Sequence, residues 1–243
     1  MTAVIHWLHV AESTNRVARD DVFVHGDVVV TANQTAGRGR MDRTWSMAPG
    51  AGVAMTIVVS RTAIGLPRYL SRLPLVVAVA LRQTLATFDG VTEATVKWPN
   101  DVQMGGRKVA GILVETLDDD RLGVGVGVNV TAAPDGLPSD SVTSLVAEGF
   151  TGTSEEFVSR FANAVLAMAG ELDLDTTLVS IRDALDTIGR DVRLELPDGR
   201  AVSGRATGIG PTGSLLVHTA AGDEEFVAGD VTHLRLSGDG SVR

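Results

Sequence analysis

Short valine-rich apolar clusters alternate with longer segments of helical periodicity through most of the chain. Four clusters are bounded by glycine or polar residues, as strands are: residues 28–30, 53–59, 112–114 and 123–130. Residues 67–88 and 157–172 instead carry apolar side chains at helical spacing. The second of these segments follows a capping pattern, Thr153-x-x-Glu156. This order of strands and helices predicts a mixed α/β body.

The pattern changes after Gly189, where apolar and polar residues alternate and turns come at short intervals up to residue 236. Turn residues cluster at positions 197–199, 211–213 and 221–223, each with a glycine. Alternation interrupted by such turns predicts five short strands in a small barrel. We therefore predict two domains, residues 1–188 and 189–243, with the boundary near Ile188.

The composition narrows the class of protein. The 243 residues are 44% hydrophobic and carry a formal net charge of -9, which argues against binding of nucleic acid phosphates over the whole surface. The absence of cysteine excludes disulfides, thiolate nucleophiles and cysteine-bound metal centres. The first residues show no signal-peptide pattern, and the longest apolar stretch, residues 73–81, is far shorter than a membrane span of ~20 residues. These features predict a soluble cytoplasmic protein without a membrane partner.

Residues 33–45 concentrate three arginines, Arg38, Arg40 and Arg43, in an otherwise acidic chain. Glycines between them let backbone amides approach an anion, and arginine offers forked donors to carboxylate or phosphate. A mobile, solvated basic loop is the alternative. The glycine spacing and the following Trp45 favour a ligand-binding loop.

Residues 97–101 read Lys-Trp-Pro-Asn-Asp, a turn whose proline breaks regular structure. Such a turn can present Asp101 to magnesium and Lys97 to phosphate oxygens. The alternative is an ordinary turn with Trp98 in the core. We favour that alternative for Trp98, and for Asp101 both interpretations stay open.

Two strand motifs carry weaker signals. Residues 106–115 place Lys108 at the mouth of an apolar strand whose Gly111 gives a ligand access to the backbone, but position alone favours a lysine that only protects a strand edge. Residues 123–130 alternate glycine and valine, which suits a strand against which something lies flat. Asn129 offers a bidentate amide suited to an adenine edge. An equal alternative is a strand whose glycines, having no side chains, let another element of the protein pack closely on it.

Together and in this order, these motifs and Ser13-Thr14-Asn15 resemble the biotin protein ligases over essentially the whole chain. The resemblance implies ten biotin-contacting residues: Ser13, Thr14, Asn15, Gln34, Gly37, Arg38, Gly39, Arg40, Lys108 and Gly111. It implies a second set that binds ATP: Arg40, Arg43, Trp45, Lys97, Asn100 and Asn129. Asp101 would hold Mg²⁺, and Lys108, Arg40 and Lys97 would act in catalysis.

The resemblance also implies a fold and a reaction. The fold would be a class II synthetase-like domain, with a mixed sheet flanked by helices, followed by a small SH3-like β-barrel. The reaction would convert biotin and Mg-ATP to biotinyl-5′-AMP and pyrophosphate, and then transfer biotin to a lysine of a biotin carboxyl carrier protein.

Three other functions are less favoured. A lipoate-type ligase would not carry the arginine loop together with residues 97–101. A biotin-responsive repressor that binds DNA needs a helix-turn-helix, for which the twelve residues before Ser13 are too few, so we expect no specific DNA partner. The retention of Lys97, Asp101 and Lys108 argues against a non-catalytic biotin-binding module.

Two expectations concern behaviour rather than identity. Met41-Asp42 stand where the family often has Arg-Gly, which makes the 34–45 loop less basic and less flexible. We still expect this loop to be mobile without ligand and ordered by biotin or the adenylate, since its arginines repel one another. The C-terminal domain carries none of the motifs, so we expect it to support the transfer step more than adenylate formation.

Overall fold

The computed structural model describes residues 2–41, 43–134 and 136–234. In these ranges the chain forms fourteen strands and four α-helices. The strands are β1 (Val4–Leu8), β2 (Asp27–Thr31), β3 (Gly37–Arg38), β4 (Thr44–Trp45), β5 (Gly52–Ser60), β6 (Ala94–Lys97), β7 (Asp101–Met104), β8 (Arg107–Thr116), β9 (Arg121–Asn129), β10 (Asp191–Glu195), β11 (Ala201–Ile209), β12 (Leu215–Thr219), β13 (Gly222–Phe226) and β14 (Asp230–His233). The helices are α1 (Thr14–Val17), α2 (Leu73–Leu85), α3 (Ser154–Ala169) and α4 (Asp175–Ala184), with 3₁₀ turns at Leu70–Arg72 and Val146–Glu148.

The first domain is built on a seven-stranded sheet in the order β1-β2-β5-β9-β8-β7-β6. β1 lies parallel to β2, and the other neighbours are antiparallel, so the sheet is mixed. The valine-rich clusters form its central strands because β-branched side chains pack well on both faces of a buried sheet. The α/β prediction and all four predicted strands are confirmed.

The two faces of this sheet are covered differently. Val28 and Val30 of β2 pack in the main core with α2 and α3, whereas Val29 between them joins Ala18 and Val58 in a small cluster beside α1. Successive side chains of a strand point to opposite faces. Therefore α1 lies on the face opposite to α2 and α3. Because α1 has only four residues, it leaves room for a cavity on that face of the sheet.

Both predicted helices form, with shifted ends. α2 begins later than predicted, after the 3₁₀ turn at Leu70–Arg72, and the Asp173 carboxylate accepts the backbone N–H groups of Arg68 and Tyr69 before that turn, at 2.8 and 2.9 Å. α3 is capped as predicted, since the Thr153 hydroxyl accepts the Glu156 backbone N–H at 3.1 Å. None of the helices in the described residues is long and apolar enough to cross a membrane.

The second sheet contains the five predicted short strands, in the antiparallel order β13-β12-β11-β10-β14. The predicted turns carry Gly199, Gly213 and Gly222 at positive φ, where glycine is favoured. Within residues 191–234 no ladder joins the edge strands β13 and β14, so the sheet is open rather than a closed barrel. Both edge strands are short, and among the described residues β13 pairs only with β12 and β14 only with β10. Residue 236, the end of the predicted barrel, lies outside the described residues.

Two buried side chains of the first domain donate hydrogen bonds to one turn of the second domain, at residues 211–213. Trp98 is 2% exposed, as predicted for a core residue, and donates its Nε1–H to the Gly213 carbonyl at 2.9 Å. Arg72 is 1% exposed and donates its Nε–H to the Pro211 carbonyl at 2.6 Å. These backbone acceptors hold the second domain close to the turn at residues 97–101.

Candidate active site

A cavity that is partly open to solvent lies on the α1 face of the first sheet. The β3–β4 hairpin and strands β8 and β9 form its other walls. It is lined by thirteen of the residues that the resemblance implied: Ser13, Thr14, Asn15, Gln34, Arg38, Gly39, Arg40, Arg43, Trp45, Asn100, Asp101, Lys108 and Gly111. Motifs that are far apart in the sequence therefore meet at one place.

The register of β9 explains its alternation of glycine and valine. The glycines of β9 point to the cavity face, and each leaves room for a different side chain: Gly123 for Leu117, Gly125 for Asn15 and Gly127 for Trp45. A Cβ atom at Gly125 would lie 2.6 Å from Asn15 Oδ1, and one at Gly127 would collide with the Trp45 ring. In the structure, the Trp45 ring of the protein itself packs closely against this strand at Gly127.

The end of the cavity beside α1 is lined by neutral polar groups that hydrogen-bond to one another. The Thr14 backbone N–H donates to Gln34 Oε1 at 2.9 Å. The Thr56 hydroxyl oxygen lies 2.8 Å from Thr14 Oγ1 and 2.6 Å from Asn15 Oδ1. Ser13 is also buried here, and its side chain makes no capping hydrogen bond to α1. The capping alternative for the Ser13 hydroxyl is therefore not observed.

Glu115, which was not singled out from the sequence, connects this network to the β3–β4 hairpin. We call this hairpin, which carries Arg38, Arg40 and Arg43, the arginine hairpin. Its Oε2 atom accepts hydrogen bonds from Asn15 Nδ2 at 2.6 Å and from Arg38 Nη2 at 3.0 Å. Glu115 lies four residues after Gly111 on β8, so the two residues face the same side of the sheet. That period-two spacing was the one signal in the sequence that pointed to it.

The opposite end of the cavity carries the cations. Lys108 Nζ lies 2.6 Å from Asp101 Oδ1 and 5.6 Å from the centre of the Trp45 ring. Gly111 leaves room for this ammonium group, since a Cβ atom there would lie 3.1 Å from Lys108 Nζ. Lys108 thus points into the cavity, and the interpretation of it as a strand-edge lysine was wrong.

The arginine hairpin is held from several sides. Its strands pair through Gly37 with Trp45 and Arg38 with Thr44. Each of its arginines has an acceptor: Glu115 for Arg38, the Gly229 carbonyl for Arg40 and Asp230 for Arg43. Mutual repulsion is therefore offset in the structure. Mobility without ligand stays a prediction, and Asp42 of the Met41-Asp42 departure lies outside the described residues.

Burial affects the pKa values of two cations at this end. It lowers the pKa of Arg40 and that of Lys97, while the nearby carboxylates of Asp101 and Asp230 act in the opposite direction. Lys97 does not line the cavity, but it lies opposite Asp101 in the backbone register of β6 and β7. Its ammonium group adds positive charge close to Asp101 and Lys108. Charges interact more strongly away from water, so a partly dehydrated cluster of cations suits an anionic ligand.

Two further predicted residues lie outside the cavity. Gly37 faces the adjoining groove, and the close approach of Gln34 and the Trp45 carbonyl leaves no room for a side chain there. Asn129 is 2% exposed and donates its Nδ2–H to the Thr143 carbonyl at 3.0 Å. Its amide supports the chain that follows β9, and its contact with adenine stays a prediction.

The turn at residues 97–101 fits a magnesium site in which phosphate oxygens and water supply most of the ligands. Asn100 lines the cavity, but its Nδ2–H donates to the Ile112 carbonyl at 2.7 Å and fixes the turn against β8. Among the residues that the structure describes, no group of three or more His, Asp or Glu side chains could hold a metal ion unaided. Mg²⁺ bound mainly through phosphate oxygens and water needs only one or two carboxylates. The Asp101 carboxylate, at the cavity wall, fits that role.

The second domain also reaches the cavity. Asp230 of β14 lines it and forms an ion pair with Arg43, although no site residue was predicted after Asn129. The expectation that this domain serves mainly the transfer step rested on the absence of sequence motifs there, and it stays a prediction. Asp230 shows that a carboxylate of β14 nevertheless contacts the arginine hairpin.

Comparison with known proteins places this geometry in context. Residues 7–130 match the biotin/lipoate A/B protein ligase family, and residues 187–234 match the biotin protein ligase C terminal domain. The biotin–[acetyl-CoA-carboxylase] ligase of Mycobacterium tuberculosis is 32% identical over 87% of this chain and 80% of its own length. That of Paracoccus denitrificans is 35% identical over 84% and 88%. The solved biotin protein ligase from Aquifex aeolicus in complex with biotin and ATP has a TM-score of 0.79 at 25% identity, covering 94% of this chain and 97% of that one.

Proposed function

The chain belongs to the biotin/lipoate A/B protein ligase family, and we propose that its cavity joins biotin to a carrier lysine through biotinyl-5′-AMP. Its relatives are biotin protein ligases, and it is an ATP-dependent enzyme of that kind. One observation carries the assignment of the residues: a neutral polar network and a cluster of cations line the same cavity. That arrangement suits biotin, which has a neutral ureido ring at one end and a carboxylate at the other.

The network beside α1 would bind the ureido ring. Such a ring needs a few directional hydrogen bonds, and the rest of biotin needs apolar walls. Ser13, Thr14 and Gln34 supply polar groups. The apolar walls are supplied by Met55, Ile112 and Val126. Gly37, Arg38, Gly39 and Gly111 would approach biotin through the hairpin and the floor of the cavity.

In the first half-reaction a biotin carboxylate oxygen attacks the α-phosphorus of ATP, and the bond to the bridging oxygen of pyrophosphate breaks. Arg40, Lys97 and Lys108 would reduce the repulsion between these anions and stabilise the charge that builds in the transition state. Lys108 would exchange its partner Asp101 for the substrate. Asp101 would hold Mg²⁺, which neutralises phosphate charge when bound. ATP would be positioned by the remaining implied residues, Arg43, Trp45, Asn100 and Asn129.

In the second half-reaction the free amine of a lysine attacks the acyl carbon of biotinyl-5′-AMP, and AMP leaves. We propose that the lysine belongs to a biotin carboxyl carrier domain, which the names of the relatives support through acetyl-CoA carboxylase. The requirement for ATP supports a cytoplasmic location. We propose no specific DNA partner, and neither a lipoate-type ligase nor a repressor is favoured.

The proposed function is tested by incubating the protein with biotin, Mg-ATP and a biotin carboxyl carrier domain, and by blotting the carrier for biotin. We expect labelling that requires ATP and that is lost in the carrier when its acceptor lysine is replaced by arginine. Lipoate should not replace biotin. Labelling with lipoate alone, or none with a carrier that another ligase labels, would overturn the proposal.

A further inference from the structure

Asn15 has its hydrogen-bonding groups committed within the protein. Its Nδ2 atom faces two acceptors, Glu115 Oε2 at 2.6 Å and the Leu113 carbonyl at 3.4 Å. A carboxylate paired with an arginine and a carbonyl can only accept, so this end of the amide must be the NH₂ group. The Oδ1 atom then faces the Thr56 hydroxyl at 2.6 Å. Glu115 thus sets which way the Asn15 amide points.

The orientation of Asn15 fixes the hydrogens further along the network. An amide oxygen only accepts, so the single hydroxyl hydrogen of Thr56 goes to Asn15 Oδ1. Thr56 Oγ1 is also 2.8 Å from Thr14 Oγ1. With its own hydrogen used, Thr56 accepts at this contact and Thr14 donates. The competing contact from Thr14 Oγ1 to Gln34 Oε1 is 3.5 Å long and is much the weaker of the two.

We propose that Glu115 is a positioning residue which, through Asn15 and Thr56, leaves the Thr14 hydroxyl as a hydrogen-bond acceptor for the ligand. The Thr14 side chain would then select a ligand that carries an N–H donor at this point. The inference rests on the proposed function, in which the ligand is biotin, because each ureido nitrogen of biotin carries one hydrogen. We call this chain of hydrogen bonds, from Thr14 through Thr56 and Asn15 to Glu115, the relay. If its hydrogen bonds ran in the opposite direction, the Thr14 hydroxyl would present a hydrogen to that N–H group, and two donors would face each other.

The relay is buried, which gives each member a measurable effect. Thr56 is 0% exposed and Asn15 is 4% exposed, so water does not readily replace a missing partner. Glu115 does not line the cavity, and it acts on a ligand only through the relay and through Arg38. The same carboxylate oxygen accepts hydrogen bonds from both Asn15 and Arg38, so Glu115 contacts the hairpin as well as the network beside α1.

The test measures the Kd of biotin by calorimetry in four variants. Glu115→Leu removes the acceptor and should raise the Kd about ten- to one hundredfold, the effect of one misdirected hydrogen bond in a buried site. Thr56→Val interrupts the same relay and should cost a similar factor, whereas Thr56→Ser keeps the hydroxyl and should stay close to wild type. Glu115→Gln keeps an acceptor oxygen for Asn15, and its Kd should rise by about threefold or less.

A double variant separates the relay from two unrelated structural effects. Glu115→Leu and Thr56→Val act on one relay, so combining them should raise the Kd little beyond either change alone. Glu93→Leu is the matched control, because Glu93 also pairs with an arginine, Arg82, but is exposed and remote from the cavity. It should leave the Kd unchanged. Melting of each variant without biotin reports on its folding.

Three outcomes would overturn the proposal: wild-type affinity in Glu115→Leu, additive losses in the double variant, or equal affinity in Thr56→Val and Thr56→Ser. The last comparison decides the matter even when Glu115→Leu does not fold. A wild-type protein that binds no biotin would instead mean that the proposed function is wrong, so the two failures are distinguishable.

Discussion

The two ends of the cavity differ in how their polar groups are satisfied. The end beside α1 is a relay of hydrogen bonds among buried side chains of the first domain, with Thr56 at its centre. The opposite end pairs cations with carboxylates from both domains, Lys108 with Asp101 and Arg43 with Asp230. The relay is complete before a ligand arrives. The ion pairs, in contrast, hold charges that an anion can take over.

This difference matches what the two proposed substrates demand. A neutral ring is recognised by the direction of its hydrogen bonds, so its pocket must be set in advance. An anion is recognised by charge, and clustered cations without a partner would repel one another. Ion pairs with protein carboxylates prevent this repulsion before the substrate binds. Each cation can then exchange its carboxylate for a substrate oxygen and recognise the anion by charge. Substitutions at one end should therefore leave the other end largely intact.

Lys108→Ala should produce the largest loss and should act mainly on turnover. It removes the cation beside the reacting anions and leaves the Asp101 carboxylate unpaired in the cavity. Pyrophosphate release should fall by about 10²–10³, the usual effect of removing one group that stabilises transition-state charge. Biotin affinity should fall much less. Lys108→Arg should also be impaired, because the two cations differ in shape and reach. Pyrophosphate release at the wild-type rate would contradict the assignment.

Alanine at two glycines of β9 should separate the two ends of the cavity. Gly125→Ala places a Cβ atom against Asn15 and Gly127→Ala places one against the Trp45 ring. We expect the first to raise the KM for biotin and the second the KM for ATP, each about tenfold or more because neither neighbour can move freely. Each should leave the other KM nearly unchanged in steady-state assays.

Gly123→Ala is the matched control on the same strand. Its Cβ atom would meet the outer atoms of the Leu117 side chain and the Thr56 methyl group, of which the leucine can shift. Both KM values should stay within about twofold of wild type. If Gly125→Ala and Gly127→Ala raised both KM values equally, the two ends would not be independent.

The sequence predicted which segments line the cavity where a short segment carries its own signature. The hairpin at residues 34–45, the turn that ends at Asp101 and the glycine-rich strand all line the cavity. Thr56 and Asp230 have no such signature, and Glu115 is marked only as the last residue of the motif at residues 106–115. Their roles depend on which strands are neighbours and on which edge of the second sheet meets the hairpin. These pairings join distant parts of the chain and leave no local pattern.

The fold shows the same limit. Alternation and turn glycines were sufficient to predict five strands in the second domain, since both are local properties. Whether their edges meet depends on the twist and length of the strands, and the sheet is open. Likewise, Asn129 has a side chain suited to adenine, but the Thr143 carbonyl lies close enough to bind its amide. The sequence shows the type of a side chain and not the partner nearest to it.

Asp230→Asn should have a smaller effect, confined to the cation end. Arg43 is 61% exposed, so its ion pair contributes little to stability, and we expect the KM for ATP to rise by about three- to tenfold. Trypsin should cut faster after Arg43, while the Kd of biotin stays unchanged. Asp191→Asn is the control, because Asp191 pairs with Arg205 on the same sheet away from the cavity. Unchanged KM and cleavage rate would show that β14 does not hold the hairpin.

The smallest expected effect on turnover concerns His233, which supports the cation end from the second domain. Its Nε2 atom lies 3.2 Å from Thr187 Oγ1, which accepts the Trp98 backbone N–H at 3.0 Å. Burial, with Lys97 and Arg190 nearby, lowers the pKa of His233 to about 4. In the unfolded chain a histidine has a pKa of about 6.5.

Between these two pKa values the unfolded chain binds more protons than the native protein. The free energy of unfolding should therefore decrease as the pH falls from about 6.5 to about 4, by at most about 3 kcal/mol, and be insensitive to this group above that window. Urea unfolding of His233→Gln, which cannot titrate, should show a flatter pH profile in the same window, with turnover near wild type at neutral pH. His218→Gln, at an exposed position of the same sheet, should keep the wild-type profile. A profile for His233→Gln as steep as that of wild type would mean that the acid sensitivity comes from another group.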